Sequence, residues 1–279
     1  MIESTLPPLR IKGRSLLPIV QGGMGVGVSA HRLAGNVARL GAVGTIAAID
    51  LRHLHPDLIE ATGRSRDKDA INAANLVALD REIRAARAIA DGHGLVAVNV
   101  MRAVSQYADY VRQACASGAD AIVMGAGLAL DLPDLTAEYP DVALIPILSD
   151  VRGITLTLKK WMKKGRLPDA IVIEHPRHAG GHLGAAKVED LADDDAADLH
   201  IGAHRKLQAD VGGLEGDLVV VDELLGEGRV GQVDGQDDQP EEDPPEHLGT
   251  ADQAHRLTPP AARSSWCPRW PSTAAGRSR

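Results

Sequence analysis

Ile171-Val172-Ile173-Glu174-His175-Pro176-Arg177-His178-Ala179-Gly180-Gly181-His182-Leu183-Gly184 is the stretch on which the fold turns. With Ala170 before it, the opening Ile171-Val172-Ile173 is an apolar run suited to a parallel strand covered on both faces. The run then breaks into a glycine-rich loop, and α/β folds place their chemistry at this carboxyl end of a strand. Gly180 and Gly181 lack a Cβ, so the backbone can take unusual dihedrals and let a flat ligand approach closely. His182 is the one side chain here whose unperturbed pKa lets it exchange a proton near neutrality. The same residues in a surface turn would make only a solvated loop, so the reading depends on the rest of the chain.

Outward from this stretch, residues 17–184 alternate short apolar runs with helical patterns. Strands are expected at 17–21, 42–48, 95–100, 121–124, 142–148 and 170–173. Helices are expected at 30–40, closed by Gly41, and at 105–116, stopped by Gly118. A longer one is expected at 69–91, where Leu76, Leu79, Ile83, Ala86 and Ala90 recur near the helical period. The helix expected at 155–164 crowds Lys159, Lys160, Lys163 and Lys164 into its last turns. Cations suit the negative end of a helix dipole, so these read as capping and solvation, not as an anion site. Six such strand–helix units, with no dinucleotide fingerprint after the first, favour a (β/α)8 TIM-barrel type over a doubly wound sheet. A complete barrel takes about 250 residues and eight units. The expected α/β architecture is therefore a barrel truncated after about six units.

Beyond Val188 the composition changes. Residues 190–279 hold 19 Asp and Glu against 8 Lys and Arg, whereas the whole chain holds 38 against 30. Such asymmetry separates a folded domain from a solvated tail. Asp193-Asp194-Asp195 and Pro240-Glu241-Glu242-Asp243-Pro244-Pro245-Glu246 read as low-order sequence. Only the run Leu218-Val219-Val220-Val221 could be a further strand, and residues 230–279 are expected to carry no packed regular structure. The expected division is a barrel portion at 1–190 and an irregular acidic tail at 191–279. Translation out of frame near residue 190 would produce this change, and so would a natural divergent tail.

Several classes are set aside by composition. No basic patch carries interleaved aromatics, so no nucleic-acid partner is expected. The longest apolar runs are too short to span a bilayer, and Met1-Ile2-Glu3-Ser4-Thr5 has no signal-peptide character. Cys115 and Cys267 are the only cysteines, which excludes a disulfide framework and a cysteine-rich metal site. A cytoplasmic protein without membrane association is expected.

Two further segments carry chemistry. Pro18-Ile19-Val20-Gln21-Gly22-Gly23-Met24-Gly25 places glycines directly after the first strand, where backbone N–H groups can line a ligand. It is neither a phosphate loop of the Gly-Lys-Ser/Thr kind nor a strict dinucleotide fingerprint. Val98-Asn99-Val100 sets one amide among apolar residues at the end of the third strand.

Together with residues 118–128, 143–148 and 171–184, these segments resemble the nitronate monooxygenase (2-nitropropane dioxygenase) family, which includes the flavin-dependent enoyl-acyl-carrier-protein reductases. The resemblance covers roughly residues 10–190 and implies an FMN-binding barrel. It implies that Gly22, Gly23 and Met24 lie against the flavin, that Asn99 and Glu174 contact it, and that Ala179, Gly180 and Gly181 form the loop beside it. It assigns His182 as the base that takes the α-proton of a nitroalkane, with O2 as the oxidant of the resulting nitronate. A flavin-dependent enoyl-thioester reductase using NAD(P)H is the alternative enzyme. A non-catalytic barrel fragment with an acidic interaction tail is the alternative outside enzymes. Where the family has a small residue, this chain has His175, and His175 and His178 read as solvated loop residues. The family's later Gly-Gly and Gly-Thr phosphate-binding segments have no counterpart, Gly212-Gly213 lacking an apolar strand before it. Weak flavin retention and impaired activity are therefore expected of this chain.

Overall fold

The computed structural model describes residues 4–174 together with the backbone of two further strands, Val219–Asp222 and Val230–Gln232. The chain opens with a hairpin of Leu9–Ile11 (β1) and Arg14–Leu16 (β2). Its two turn residues, Lys12 and Gly13, have φ of 52° and 71°, the pair of positive values that a type I′ turn requires. Next come Val20–Gln21 (β3), His31–Arg39 (α1) and Val43–Ala47 (β4). A 3-10 turn at Leu51–Leu54, Pro56–Thr62 (α2) and Lys68–Ala90 (α3) lead to Leu95–Met101 (β5). Tyr107–Ala116 (α4), Ala121–Gly125 (β6), Leu132–Leu135 (α5), Ala143–Leu148 (β7), Val151–Met162 (α6) and Ala170–Ile173 (β8) follow.

Strands β3 to β8 lie side by side in chain order and are all parallel. They curl into a half-barrel backed by helices, which is the (β/α)8 TIM-barrel pattern over its first six units. The sheet continues with Val219–Asp222 (β9), parallel to β8, on which Val230–Gln232 (β10) folds back antiparallel. The run expected at 218–221 thus holds a strand, at Val219–Asp222. Of residues 230–279, expected to lack packed regular structure, Val230–Gln232 form the short strand β10. Three residues are too few to show a period, and an open sheet edge recruits partners through unpaired backbone groups, not through side-chain pattern.

Alternation along the strands sorts the core into two layers. Ile46, Val96, Val98, Val100, Ile122, Met124 and Leu144 face outward and pack with Ala34 and Ala38 of α1, Leu79 and Ile83 of α3, and Val111 of α4. Val43, Leu95, Ala97, Ala121, Ala143 and Ala170 face inward and pack with Leu9, Ile11 and Leu16 of the hairpin. Most of these inward residues open their strands, so β1 and β2 close the amino-terminal end of the half-barrel. Two cations of the hairpin secure it. Arg14 Nη1 lies 3.3 Å from Asp120 Oδ1, and Lys12 Nζ lies 3.7 Å from Asp169 Oδ1. Asp120 and Asp169 directly precede β6 and β8, and each accepts a strand N–H at 2.8 Å, from Val96 and Leu144 respectively. That end is tied for stability, which leaves the opposite rim for chemistry.

Sequence patterns place α1, α3, α4 and α6 but miss the short α2 and α5, and capping explains the earlier starts of α3 and α6. α6 begins at Val151 because Asp150 accepts the Gly153 N–H at 2.7 Å. α3 begins at Lys68 because Asp67 accepts from Asp69 and Ala70. Lys159 and Lys160 do occupy the last turn of α6. Lys164 does more than cap: its Nζ donates to Leu130 O and to Asp134 Oδ2, both at 2.7 Å, tying α6 to α5.

Candidate active site

β3 is only two residues long, and its last side chain explains why. Val20 pairs with Val43 and Gln21 with Gly44, while Val43 N–H donates to Ile19 O at 3.0 Å. Backbone groups alternate sides along a parallel strand, so Thr45 turns its N–H and C=O back toward β3. By register these face Gln21 O, with which Thr45 N–H pairs in the ladder, and Gly23 N–H. Thr45 N–H also reaches Gln21 Oε1 at 3.0 Å, and Gln21 Nε2 donates to Thr45 O at 3.1 Å in the place of Gly23 N–H. The carboxamide fills the ladder place that Gly23 leaves. The main chain leaves the sheet at Gly22 and rejoins it at Ser29, whose carbonyl accepts the Ala47 N–H at 3.0 Å.

Ser29 is fully buried beneath this detour. Its hydroxyl accepts from Met24 N–H at 2.9 Å and from Gln21 Nε2 at 3.1 Å, and donates to Gly22 O at 3.3 Å. Gln21 Nε2 also donates to Gly22 O. The glycine loop is therefore held by two side chains from inside. Its far end is held from outside by Glu82 of α3, only 1% exposed. A Glu82 carboxylate oxygen accepts the His31 N–H at 2.8 Å, supplying the cap that Ala30 cannot give α1. The same oxygen lies 2.7 Å from His31 Nδ1, and the other oxygen lies 3.2 Å from His55 Nε2.

Released from the sheet, the loop reaches across β4 to β5. A Cβ on Gly23 would sit 2.7 Å from Asn99 Cβ, 2.9 Å from its Cγ and 3.1 Å from its Nδ2. Asn99 lies on the inner face, since Val98 and Val100 face outward. The structure thus brings Gly22, Gly23, Met24 and Asn99 together at the carboxyl-end rim. Met24 is 45% exposed there. Glu174 follows β8 at the same rim, half-buried, with its N–H donating to Leu148 O at 3.0 Å. It continues the inward positions Ala170 and Val172. His182, Ala179, Gly180 and Gly181, with His175 and His178, lie outside the described residues.

Two of the four described non-glycine residues with left-handed backbone lie at the same rim, the other two, Lys12 and Asp91, lying at the opposite end. Asp50 (φ 45°) follows β4 and Ala126 (φ 55°) follows β6. Such residues cost about 1–3 kcal/mol each and cluster at functional sites. Cys115 is no candidate nucleophile: it lies on the buried face of α4, and burial pushes its thiol up to about 11. Among the described residues no group of three or more His, Cys, Asp or Glu could hold a metal ion. No helix among them is long and apolar enough to cross a membrane.

Sequence reading names Gly22, Gly23, Met24 and Asn99 but assigns nothing to Gln21, Ser29 or Glu82. Gln21 did carry a signal, as the one polar side chain closing an apolar strand before glycines. Ser29 and Glu82 carry none, because their partners are far away in sequence or main-chain groups.

A family model for nitronate monooxygenase matches residues 11–200. The chain therefore belongs to the nitronate monooxygenase family. Solved structures similar to it include FabK from Thermotoga maritima, at 17% identity and a TM-score of 0.48 over 73% of this chain. The chain spans half the length of that protein, 50% of it being covered. A nitroalkane oxidase from Streptomyces ansochromogenes is also similar, at 17% identity and a TM-score of 0.25, covering 57% of this chain and 65% of that one. No curated protein matches the sequence.

Proposed function

We infer that the chain is a flavin-dependent oxidoreductase, with FMN as its flavin, that oxidises alkyl nitronates and their parent nitroalkanes with O2. The observation that carries this reading is the contact of Gly23 with Asn99, where the loop presents main chain and no side chain to the barrel mouth. A flat ring needs such a surface: glycines permit close approach, and freed N–H groups can meet polar ring edges. The residues present fit the ring portion of a flavin. Gly22, Gly23 and Met24 would lie along one side of it, and the Asn99 amide and the Glu174 carboxylate would meet its polar edges. Bound there, the flavin supplies the redox capacity, and the protein supplies position and electrostatics.

The chain's own work is proton transfer and orientation. His182, in the stretch Ala179-Gly180-Gly181-His182 that follows β8 in the sequence, would break the C–H bond beside the nitro group by taking the proton onto its imidazole. The electron pair left behind delocalises onto the nitro oxygens, giving the nitronate. The barrel portion, residues 1–190, would carry this chemistry, and the acidic residues 191–279 would not. A soluble cytoplasmic setting fits that chemistry.

The deciding assay offers the purified chain, supplemented with FMN, nitroethane and its nitronate under air, then NADH or NADPH with an enoyl thioester. Oxygen consumption with the nitro compounds is expected. Consumption of the nicotinamide with enoyl thioester and none with nitronate would make it an enoyl-thioester reductase. No turnover and no flavin uptake would make it a non-catalytic fragment.

A further inference from the structure

The geometry points to Gln21 as the positioning residue of the ring site: its carboxamide takes the Thr45 carbonyl in the place of Gly23 N–H, which holds the main chain of Gly22 and Gly23 off the sheet and against Asn99. The inference rests on the flavin reading for its ligand but not for its structural content. Three observations carry it. Thr45 N–H and C=O both bond the side chain of Gln21, at 3.0 and 3.1 Å. The register would otherwise give the Thr45 carbonyl to Gly23 N–H, while Thr45 N–H keeps its ladder place on Gln21 O. The detour ends where Ser29 O takes up Ala47 N–H, so the displaced segment is bounded on both sides.

A carboxamide is well suited to this place because it offers an acceptor and a donor on one planar group. A carboxylate keeps the acceptor for Thr45 N–H but turns a lone pair toward Thr45 O and Gly22 O. A protonated carboxyl group is again an acceptor and a donor. Gln21→Glu is therefore a titratable version of the native contact. Removing the donor allows Gly23 N–H to fall back onto Thr45 O, which draws the loop out of the mouth.

The test uses the full chain. FMN affinity is measured by flavin fluorescence for wild type and Gln21→Glu at pH 8 and at pH 5. Expected is a loss of about tenfold or more for Gln21→Glu at pH 8, the weight of one lost hydrogen bond. Part of that loss is recovered at pH 5, where a glutamic acid begins to take up its proton, with wild type as the control at each pH. A merely structural role would not yield affinity that returns on acidification. A second variant, Gln21→Met, keeps the side-chain length without polar atoms, and its amide exchange is read without flavin. Exchange at Met24, whose N–H is held by Ser29, should rise at least tenfold while Val98 and Ile122 in the sheet stay protected. Wild-type affinity of Gln21→Glu at pH 8, an unrecovered loss at pH 5, or unchanged exchange at Met24 overturns the inference. If wild type itself takes up no FMN, the flavin reading falls, and the exchange measurement alone decides the role of Gln21.

Discussion

Replacing His182 by asparagine is expected to slow proton abstraction from a neutral nitroalkane by about 10²–10⁴-fold, the usual weight of a general base. Asparagine keeps hydrogen-bonding capacity and much of the volume, so flavin uptake should be unchanged. Oxidation of a pre-formed nitronate should suffer far less, because its proton has already gone. The ratio of the two rates, measured under air at one pH, separates chemistry from placement. Equal losses on both substrates would mean that His182 positions the substrate or supports its loop. The prediction rests on the proposed role of His182, in the stretch Ala179-Gly180-Gly181-His182 that follows β8 in the sequence.

The largest effect on folding is expected at Gly44. A Cβ there would lie 1.9 Å from the Ala34 carbonyl oxygen and 2.8 Å from Ala34 Cα, both backbone atoms of α1. A flexible side chain could turn away from an added methyl, but a helix must move as a body. Ala34 and Ala38 are fully buried in this contact, so α1 has no slack against β4. Overpacking a well-filled core costs about 1–3 kcal/mol. Gly44→Ala should exceed the upper figure, because the atom met is main chain. Urea unfolding should show a lower midpoint, or soluble protein should not form. Gly25→Ala is the control: nothing lies within 4 Å of its Cβ position, so it should stay within about 0.5 kcal/mol of wild type. A Gly44→Ala protein as stable as that control would contradict the packing described for α1 on β4.

How much of this was legible in the sequence depends on the distance over which each signal acts. The strands β4 to β8 announce themselves as continuous apolar runs because both their faces are covered. α3 is legible because one face of it is buried along its length, against α1, α4 and β5. The hairpin of β1 and β2 is not, since three-residue strands are too short to set a period, and Lys12 supplies a positive φ that sequence reads poorly. The glycines and Asn99 of the site were legible as residue types after strands. Their contact was not, because it depends on Gln21 displacing the chain from the sheet. That displacement is a matter of register, set by which way Thr45 turns its backbone groups. Glu82 shows the same limit from the helix side: mid-helix glutamates are usually solvated, and this one is buried because α1 lacks its own cap.

The central claim is that the main chain of Gly22 and Gly23, flush against Asn99, forms a flavin-ring site. It is tested most directly by titrating FMN into wild type and Gly23→Ala and following flavin fluorescence. Only the methyl group differs, and it would lie 2.7 Å from Asn99 Cβ, forcing either the loop or the amide out of place. The account predicts saturable quenching for wild type and binding at least about tenfold weaker for Gly23→Ala, the equivalent of roughly 1.4 kcal/mol, with unchanged circular dichroism. Gly23→Ala protein that binds FMN as tightly as wild type would contradict it.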